Sequence, residues 1–217
     1  MRLSLIRELP VQSIICYNAF GTKEPSAIEK LMSKPMRFVP TEIPEILLLE
    51  SDVYADERGF FMEVYQCKRF AAAGIDCSFV QDNQSGSKRG ILRGLHYQIR
   101  QPQAKLVRVV QGEAFDVAVD LRRSAPTFGR WAGALLSAEN RRQFWIPVGF
   151  AHGIYVLSEW AEVIYKVSDY YAPEWERTII WNDPQLDIQW PLVDGQPPIL
   201  LERDAHGSSF DCADKFD

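Results

Sequence analysis

Short runs rich in β-branched and aromatic side chains, closely spaced and punctuated by Gly, Pro and Asn, restrict this chain more than any other feature. Lys105–Gln111, Ala114–Leu121 and Phe144–Pro147 are such runs, and their length and composition suit strands rather than helices. Ala161–Ser168 alternates, sending Val163, Tyr165 and Val167 to one face and Glu162, Ile164 and Lys166 to the other. Strands at this spacing imply an antiparallel sandwich or barrel. Helix is sparse: Cys67–Ala73, ended by Gly74, is the best candidate. There is no internal repeat of fixed period.

Composition narrows the function classes. The chain has 217 residues, enough for one large domain or one domain with an appendage, and 47% of them are hydrophobic, so a sizeable core can form. With 24 Lys plus Arg against 29 Asp plus Glu, the net charge of −5 offers no basic face for nucleic acid. The longest apolar runs, such as Trp131–Leu136 and Ile46–Leu49, are far too short to span a bilayer. Four scattered cysteines, Cys16, Cys67, Cys77 and Cys212, lack the paired spacing of a zinc site or disulfide framework and read as free thiols in a reducing cytoplasm. The first residues carry positive charge, but Glu8 and Pro10 cut the run short, and no signal peptide is read. The pattern changes near residue 36: residues 1–35 hold a candidate short helix at Ala27–Met32 and no strong period, and Met36 could itself be a start.

Two of the three histidines sit inside the strand-rich region. His152 ends Pro147-Val148-Gly149-Phe150-Ala151-His152, which resembles the Pro-x-Gly-x-x-His spacing of the second cupin box, where a turn delivers a histidine into the barrel mouth. The first box of the metal-binding cupins has two histidines one residue apart and a glutamate shortly after. Here His96 is followed by Gln98 in the partner position, and no Glu occurs before Glu113, so the ligand set for a divalent metal is incomplete. Proton chemistry is available instead. An imidazole titrates near neutrality, so His96 suits a general base. Lys105 in a dry pocket would stabilise an enolate oxygen; on a solvated strand face it would be an ordinary charge. Tyr165, Tyr170 and Tyr171 can donate protons or stack on a base, and equally can be core or rim aromatics. Asp204 taken alone looks like a surface acid.

In combination the motifs are more specific. Asp56–Phe61, Val80–Asn83, Leu92–His96, Lys105–Arg108, Pro126–Gly129, Leu136–Asn140, Gly149–Gly153, Trp181–Asp183 and Trp190–Pro191 resemble, in order, those of the dTDP-4-dehydrorhamnose 3,5-epimerase family. The resemblance spans roughly residues 36–205, leaving 1–35 as an N-terminal extension and 206–217 as a C-terminal tail. It implies an all-β cupin-type jelly roll, a homodimer, no metal and no cofactor. The implied substrate is dTDP-4-dehydro-6-deoxy-D-glucose, a dTDP-4-keto-6-deoxy sugar whose C4 carbonyl acidifies the protons at C3 and C5. The implied compartment is the cytoplasm, with no nucleic-acid or membrane partner.

By the same resemblance, His96 is the base, Asp204 its partner, Lys105 the group that steadies the enolate, and Tyr165 the acid on the opposite face. Arg58, Glu63, Gln81, Asp82, Asn83, Arg93, His152, Glu176 and Arg203 are implied substrate contacts, and Tyr171 is the implied aromatic that stacks on thymine. Arginine suits a diphosphate because its planar fork engages two oxygens at once. Two departures stand out: Arg203, where relatives commonly have Lys, and Gln84, where many have His. Three alternatives accompany the double epimerase: a single-site epimerase for another dTDP-deoxysugar, a non-catalytic nucleotide-sugar-binding cupin, and a metal cupin that Gln98 disfavours.

Overall fold

The computed structural model describes residues 36–217; the expected extension over 1–35, with its candidate helix at Ala27–Met32, lies outside the described residues. The sandwich expected from the strand pattern is present. One antiparallel sheet has six strands in the order β1 (Arg37–Pro40), β2 (Leu47–Glu50), β10 (Gln143–Ile146), β7 (Lys105–Gln111), β12 (Trp160–Val167) and β5 (Gln81–Lys88). The other has five, in the order β13 (Glu176–Thr178), β6 (Leu92–Gln98), β11 (Phe150–Val156), β8 (Glu113–Asp120) and β9 (Trp131–Ser137). β3 (Val53–Asp56) and β4 (Gly59–Met62) form a separate two-stranded hairpin. Among the described residues, helix is confined to α1 (Cys67–Ala72), which stops where Gly74 takes a left-handed φ of 84°, and to the four-residue α2 (Glu202–Ala205), apart from short 3-10 turns.

The strand alternation decides what each face buries. Val107 and Val109 of β7, Phe144 and Ile146 of β10 and Val163 of β12 meet Ala114 and Ala118 of β8, Leu136 of β9 and Phe150 and Ile154 of β11 in a core between the two sheets. The outer face of the five-stranded sheet is covered by the C-terminal segment, whose Ile179, Leu186, Trp190, Phe210 and Ala213 pack on Leu95, Tyr97, Val117, Val119 and Tyr155. A third cluster, around Phe70 of α1 with Met36, Leu49, Leu106 and Trp145, covers part of the outer face of the six-stranded sheet.

Residues 206–217, set apart as a tail in the sequence, belong to this folded unit. Phe210 is fully buried, Phe216 bridges to Arg122, and the Tyr97 hydroxyl donates to the Asp214 carbonyl at 2.5 Å. Truncating a buried aromatic such as Phe210 to Ala costs about 3–5 kcal/mol in comparable cores, so the tail stabilises the sheet it covers. Among the described residues, no helix is long and apolar enough to cross a membrane.

Candidate active site

A cavity of about 310 Å³ opens between the two sheets, and most of the chemistry-bearing residues singled out in the sequence line it. Its five-stranded wall depends on an irregularity in β6. Opposite β11, His96 pairs with His152 and Arg93 with Ile154, so three steps along β6 match two along β11. A regular strand would send residues three apart to opposite faces. The irregularity lets both Arg93 and His96 line the cavity, while Leu95 and Tyr97 join the outer cluster. Gly94 makes this feasible. Its φ is 130°, and a Cβ there would come within 2.6 Å of the Gly153 Cα and 2.7 Å of the His152 carbonyl oxygen. The glycine of the Arg-Gly-Leu-His stretch is therefore a packing requirement of the wall that carries the histidine.

His96 Nε2 lies 2.6 Å from Asp204 Oδ1, joining residues 108 positions apart. Asp204 is buried on α2, which the C-terminal segment brings back against β6. An ionised carboxylate only accepts, so His96 Nε2–H donates to it and Nδ1 is left with a free lone pair. Arg203 Nε stands 3.5 Å from the same Asp204 oxygen.

The second histidine arrives as the Pro-x-Gly-x-x-His spacing predicts. Gly149, at φ 92°, makes the turn, and a Cβ there would lie 2.7 Å from Arg122 Cγ. His152 follows on β11, with its Nε2 2.9 Å from Oδ1 of wholly buried Asp116 on β8. Burial pushes the basicity of His152 down, and nearby Lys105 and His96 act in the same direction, against the attraction of Asp116. Gln98, in the position of a metal-cupin histidine, serves the backbone instead: its Nε2 donates to the carbonyls of Gln101 (2.7 Å) and Tyr170 (3.2 Å), and its Oε1 accepts from Ala172 N (2.9 Å).

The six-stranded wall faces these groups with Lys105 of β7, Val163 and Tyr165 of β12, and Gln81, Asn83 and Ser85 of β5. Burial lowers the pKa of Lys105 to about 8, although the charges of Asp116 and Glu176 pull it upward. Burial raises that of Tyr165, opposed chiefly by the positive charge of Arg93. A phenol held this way stays protonated at neutral pH, with a cation near enough to favour its anion once formed. Gln81 Nε2 donates to Asn83 Oδ1 at 2.8 Å.

Tyr171, Glu176 and Arg203 form the mouth. Glu176 Oε2 accepts from the Tyr171 hydroxyl (3.0 Å) and from Arg203 Nη1 (2.8 Å), and both donors are about half exposed. Arg93 Nε donates to Ser87 Oγ at 2.9 Å, which fixes the guanidinium deeper in.

Three of the implied substrate contacts, Asp82, Arg58 and Glu63, do not line this cavity. Asp82 falls on the outer face of β5 and pairs with Lys166 at 2.8 Å, because alternation sends only its neighbours Gln81 and Asn83 inward. Gln84 shares that outer face and donates to Glu162 at 2.9 Å. Arg58 lies at the turn of the β3–β4 hairpin, 84% exposed and 2.5 Å from Asp56, and Glu63 follows the hairpin, 3.3 Å from Arg69. Conversely, Asp116, Ser87 and Phe216 shape or line the site without having been selected. The two acids Asp116 and Asp120 in the otherwise apolar run Ala114–Leu121 were the available signal for Asp116; Ser87 and Phe216 gave none.

Comparison with known proteins fits this geometry. The dTDP-4-dehydrorhamnose 3,5-epimerase family profile matches residues 40–211. A dTDP-4-dehydrorhamnose 3,5-epimerase of Pseudomonas aeruginosa is 59% identical over 182 residues, covering 83% of this chain and 99% of that protein. The dTDP-6-deoxy-D-glucose-3,5-epimerase of Legionella pneumophila, solved in complex with dTDP-4-keto-L-rhamnose, superposes with a TM-score of 0.80 at 53% identity, covering 82% of this chain and 95% of that one. A 3'-monoepimerase of Streptomyces bikiniensis, solved with dTDP-quinovose, superposes with a TM-score of 0.74 at 33% identity, covering 79% and 87%. The sandwich is thus a cupin-type jelly roll. Given a profile match across nearly all of the sandwich and identity at more than half of the positions aligned with the Pseudomonas protein, the chain belongs to the dTDP-4-dehydrorhamnose 3,5-epimerase family.

Proposed function

We infer that this protein is an isomerase that inverts dTDP-4-dehydro-6-deoxy-D-glucose at C3 and C5 to give dTDP-4-dehydro-L-rhamnose, a step of dTDP-L-rhamnose biosynthesis. The observation that carries the mechanism is the placement of His96 and Tyr165 on opposite sheets of one cavity. Inversion needs a proton to leave from one face of the sugar and another to arrive on the other, and two groups on facing walls do this without turning the substrate over.

In this mechanism His96 Nδ1 takes the C3 proton, and the C–H electron pair moves toward the C4 carbonyl to form an enolate. Asp204 holds the imidazole and stabilises the imidazolium that results, as carboxylates do for catalytic histidines elsewhere. Protonated Lys105 supports the enolate oxygen in a cavity where a charge acts more strongly than in water. Tyr165 delivers its phenolic proton to C3 from the other side, and Arg93 favours the phenolate left behind. The imidazolium loses its proton and the phenolate regains one through solvent, and the cycle repeats at C5. Arg93 and Arg203 engage the diphosphate, Gln81, Asn83, His152 and Glu176 hold the rest of the ligand, and Tyr171 at the mouth stacks on thymine.

Arg58 and Glu63 lie outside this cavity, and the same hairpin exposes about 60% of both Phe60 and Phe61. A homodimer accounts for both features, since a second copy would cover the phenylalanines; light scattering at micromolar concentration should give twice the mass of the chain. Free thiols at Cys67, Cys77 and Cys212 suit the cytoplasm, where nucleotide sugars are made. The activity test is turnover of the dTDP-4-keto sugar in deuterium oxide. Deuterium at both C3 and C5 of the product supports double epimerisation, exchange at one carbon would convert the reading to a single-site epimerase, and binding without exchange would end it.

A further inference from the structure

Asp116 is a wholly buried carboxylate to which the mechanism above gives no role. It sits on β8 on the face it shares with Ala114 and Ala118, which belong to the apolar core between the sheets. A charge in such a place is costly unless something nearby compensates it. Asp120, four residues on and equally buried, shows ordinary compensation: Arg122 engages both of its oxygens (2.9 and 2.7 Å), and Thr127 donates at 2.6 Å. Asp116 has one such bond, from His152 Nε2–H at 2.9 Å, and its Oδ2 has no protein donor. What remains to balance it is the field of the cavity cations. Across the cavity, Lys105 feels Asp116 more than any other charge, and Glu176 next.

We propose that Asp116 is a positioning residue for this reaction: it holds His152 as the Nε2–H tautomer and supplies the counter-charge for Lys105 in the deep end of the cavity. The proposal rests on the epimerase reading and adds a residue to it. An ionised Asp116 accepts from His152 Nε2–H, so neutral His152 presents Nδ1 as an acceptor, suited to a sugar hydroxyl rather than to a phosphate oxygen. The charged and titratable groups bearing on Lys105 and on this pair are Asp116 on β8, His152 on β11, His96 on β6 and Glu176 on β13. Asp116 and Glu176 favour the lysine's charge; the other two, when protonated, oppose it.

The test is the pH profile of kcat/KM for solvent exchange, which reports groups of the free enzyme. The wild-type rate should fall as pH rises through about 8, where Lys105 loses its proton. Asp116→Asn should move that alkaline limb down by about one pH unit, which on the limb is a rate about tenfold lower, with recovery toward wild type near pH 6. Asp116→Glu, which keeps the charge, should leave the limb in place, and so should His152→Gln. An unmoved limb in Asp116→Asn, or a loss equal at every pH, would overturn the proposal. If Asp116→Asn does not fold, a limb displaced by His152→Gln as far as expected for the neutralised aspartate would overturn it equally. Wild-type exchange at both carbons, silenced by His96→Asn, tests the epimerase reading separately, so either idea can fail alone.

Discussion

Two imidazole–carboxylate pairs share the five-stranded wall of the cavity, and they differ in where the carboxylate comes from and what surrounds it. His96 takes its partner from α2, 108 residues onward, at 2.6 Å, beside Arg203 at the mouth. His152 takes its partner from the adjoining strand β8, at 2.9 Å, inside a core of small apolar side chains and across from Lys105. The same two residue types thus serve two purposes. A histidine at the mouth side, with a carboxylate behind it and solvent within reach, can take a proton and give it back. One that is buried and feels the charge of a nearby lysine resists a positive charge, and is better used as a fixed acceptor.

The comparison breaks most visibly if the two histidines prove interchangeable. His96→Asn should lower turnover by about 10⁴-fold and silence exchange at both carbons, at the upper end of the usual worth of a general base. His152→Asn should act mainly on KM, with exchange preserved; equal losses in kcat would erase the distinction. Asp204→Asn comes next, at about 10³-fold in kcat, since removal of an orienting carboxylate costs up to about 10⁴-fold in a related arrangement. Tyr165→Phe should cost about 10²-fold in product formation while leaving proton abstraction, so that recovered substrate carries deuterium; product formed at the wild-type rate would remove Tyr165 as the acid.

Protonation of Lys105 gives a smaller, graded effect. The active form is the charged one, so kcat/KM should decline as pH rises through about 8, and in Lys105→Met that limb should vanish along with much of the rate. Stability should move the other way: between about pH 8 and the ordinary lysine range the unfolded chain binds more protons than the folded one, so this group makes folding more favourable as pH rises there. Denaturant melts of wild type and Lys105→Met across that window check the sign. The smallest change is expected for Arg203→Lys. The residue is half exposed and the substitution keeps the charge toward Glu176, so kcat/KM should stay within about threefold, with a modest rise in salt sensitivity.

Much of this architecture was legible in the residues. The alternation of Ala161–Ser168 put Val163 and Tyr165 on one face, and the structure has both in the cavity wall; α1 ends one residue before the sequence limit. Alternation also separates Asp82 from Gln81 and Asn83, so that residue's place outside the cavity follows from strand parity alone, without reference to any family. Other features needed the fold. Nothing local joins His96 to Asp204, because the contact exists only once the C-terminal segment returns across β6. The positions of Arg93 and His96 on one wall violate strand parity and depend on the register shift at Gly94. Asp116 shares its strand run with a second acid, Asp120, and nothing local distinguishes the two, since the role of Asp116 depends on Lys105 from the facing sheet. The tail residues gave no sign that Phe210 and Phe216 would pack against the barrel, because isolated aromatics near a terminus carry no period.

The most direct measurement of the central claim, that groups on opposite walls move protons on opposite faces of the sugar, is carbon-resolved deuterium incorporation from the dTDP-4-keto sugar for wild type, His96→Asn and Tyr165→Phe side by side. The account predicts deuterium at C3 and C5 with inversion in wild type, no exchange in His96→Asn, and exchange without efficient inversion in Tyr165→Phe. Exchange in His96→Asn at the wild-type rate, or inversion in Tyr165→Phe at the wild-type rate, would contradict it.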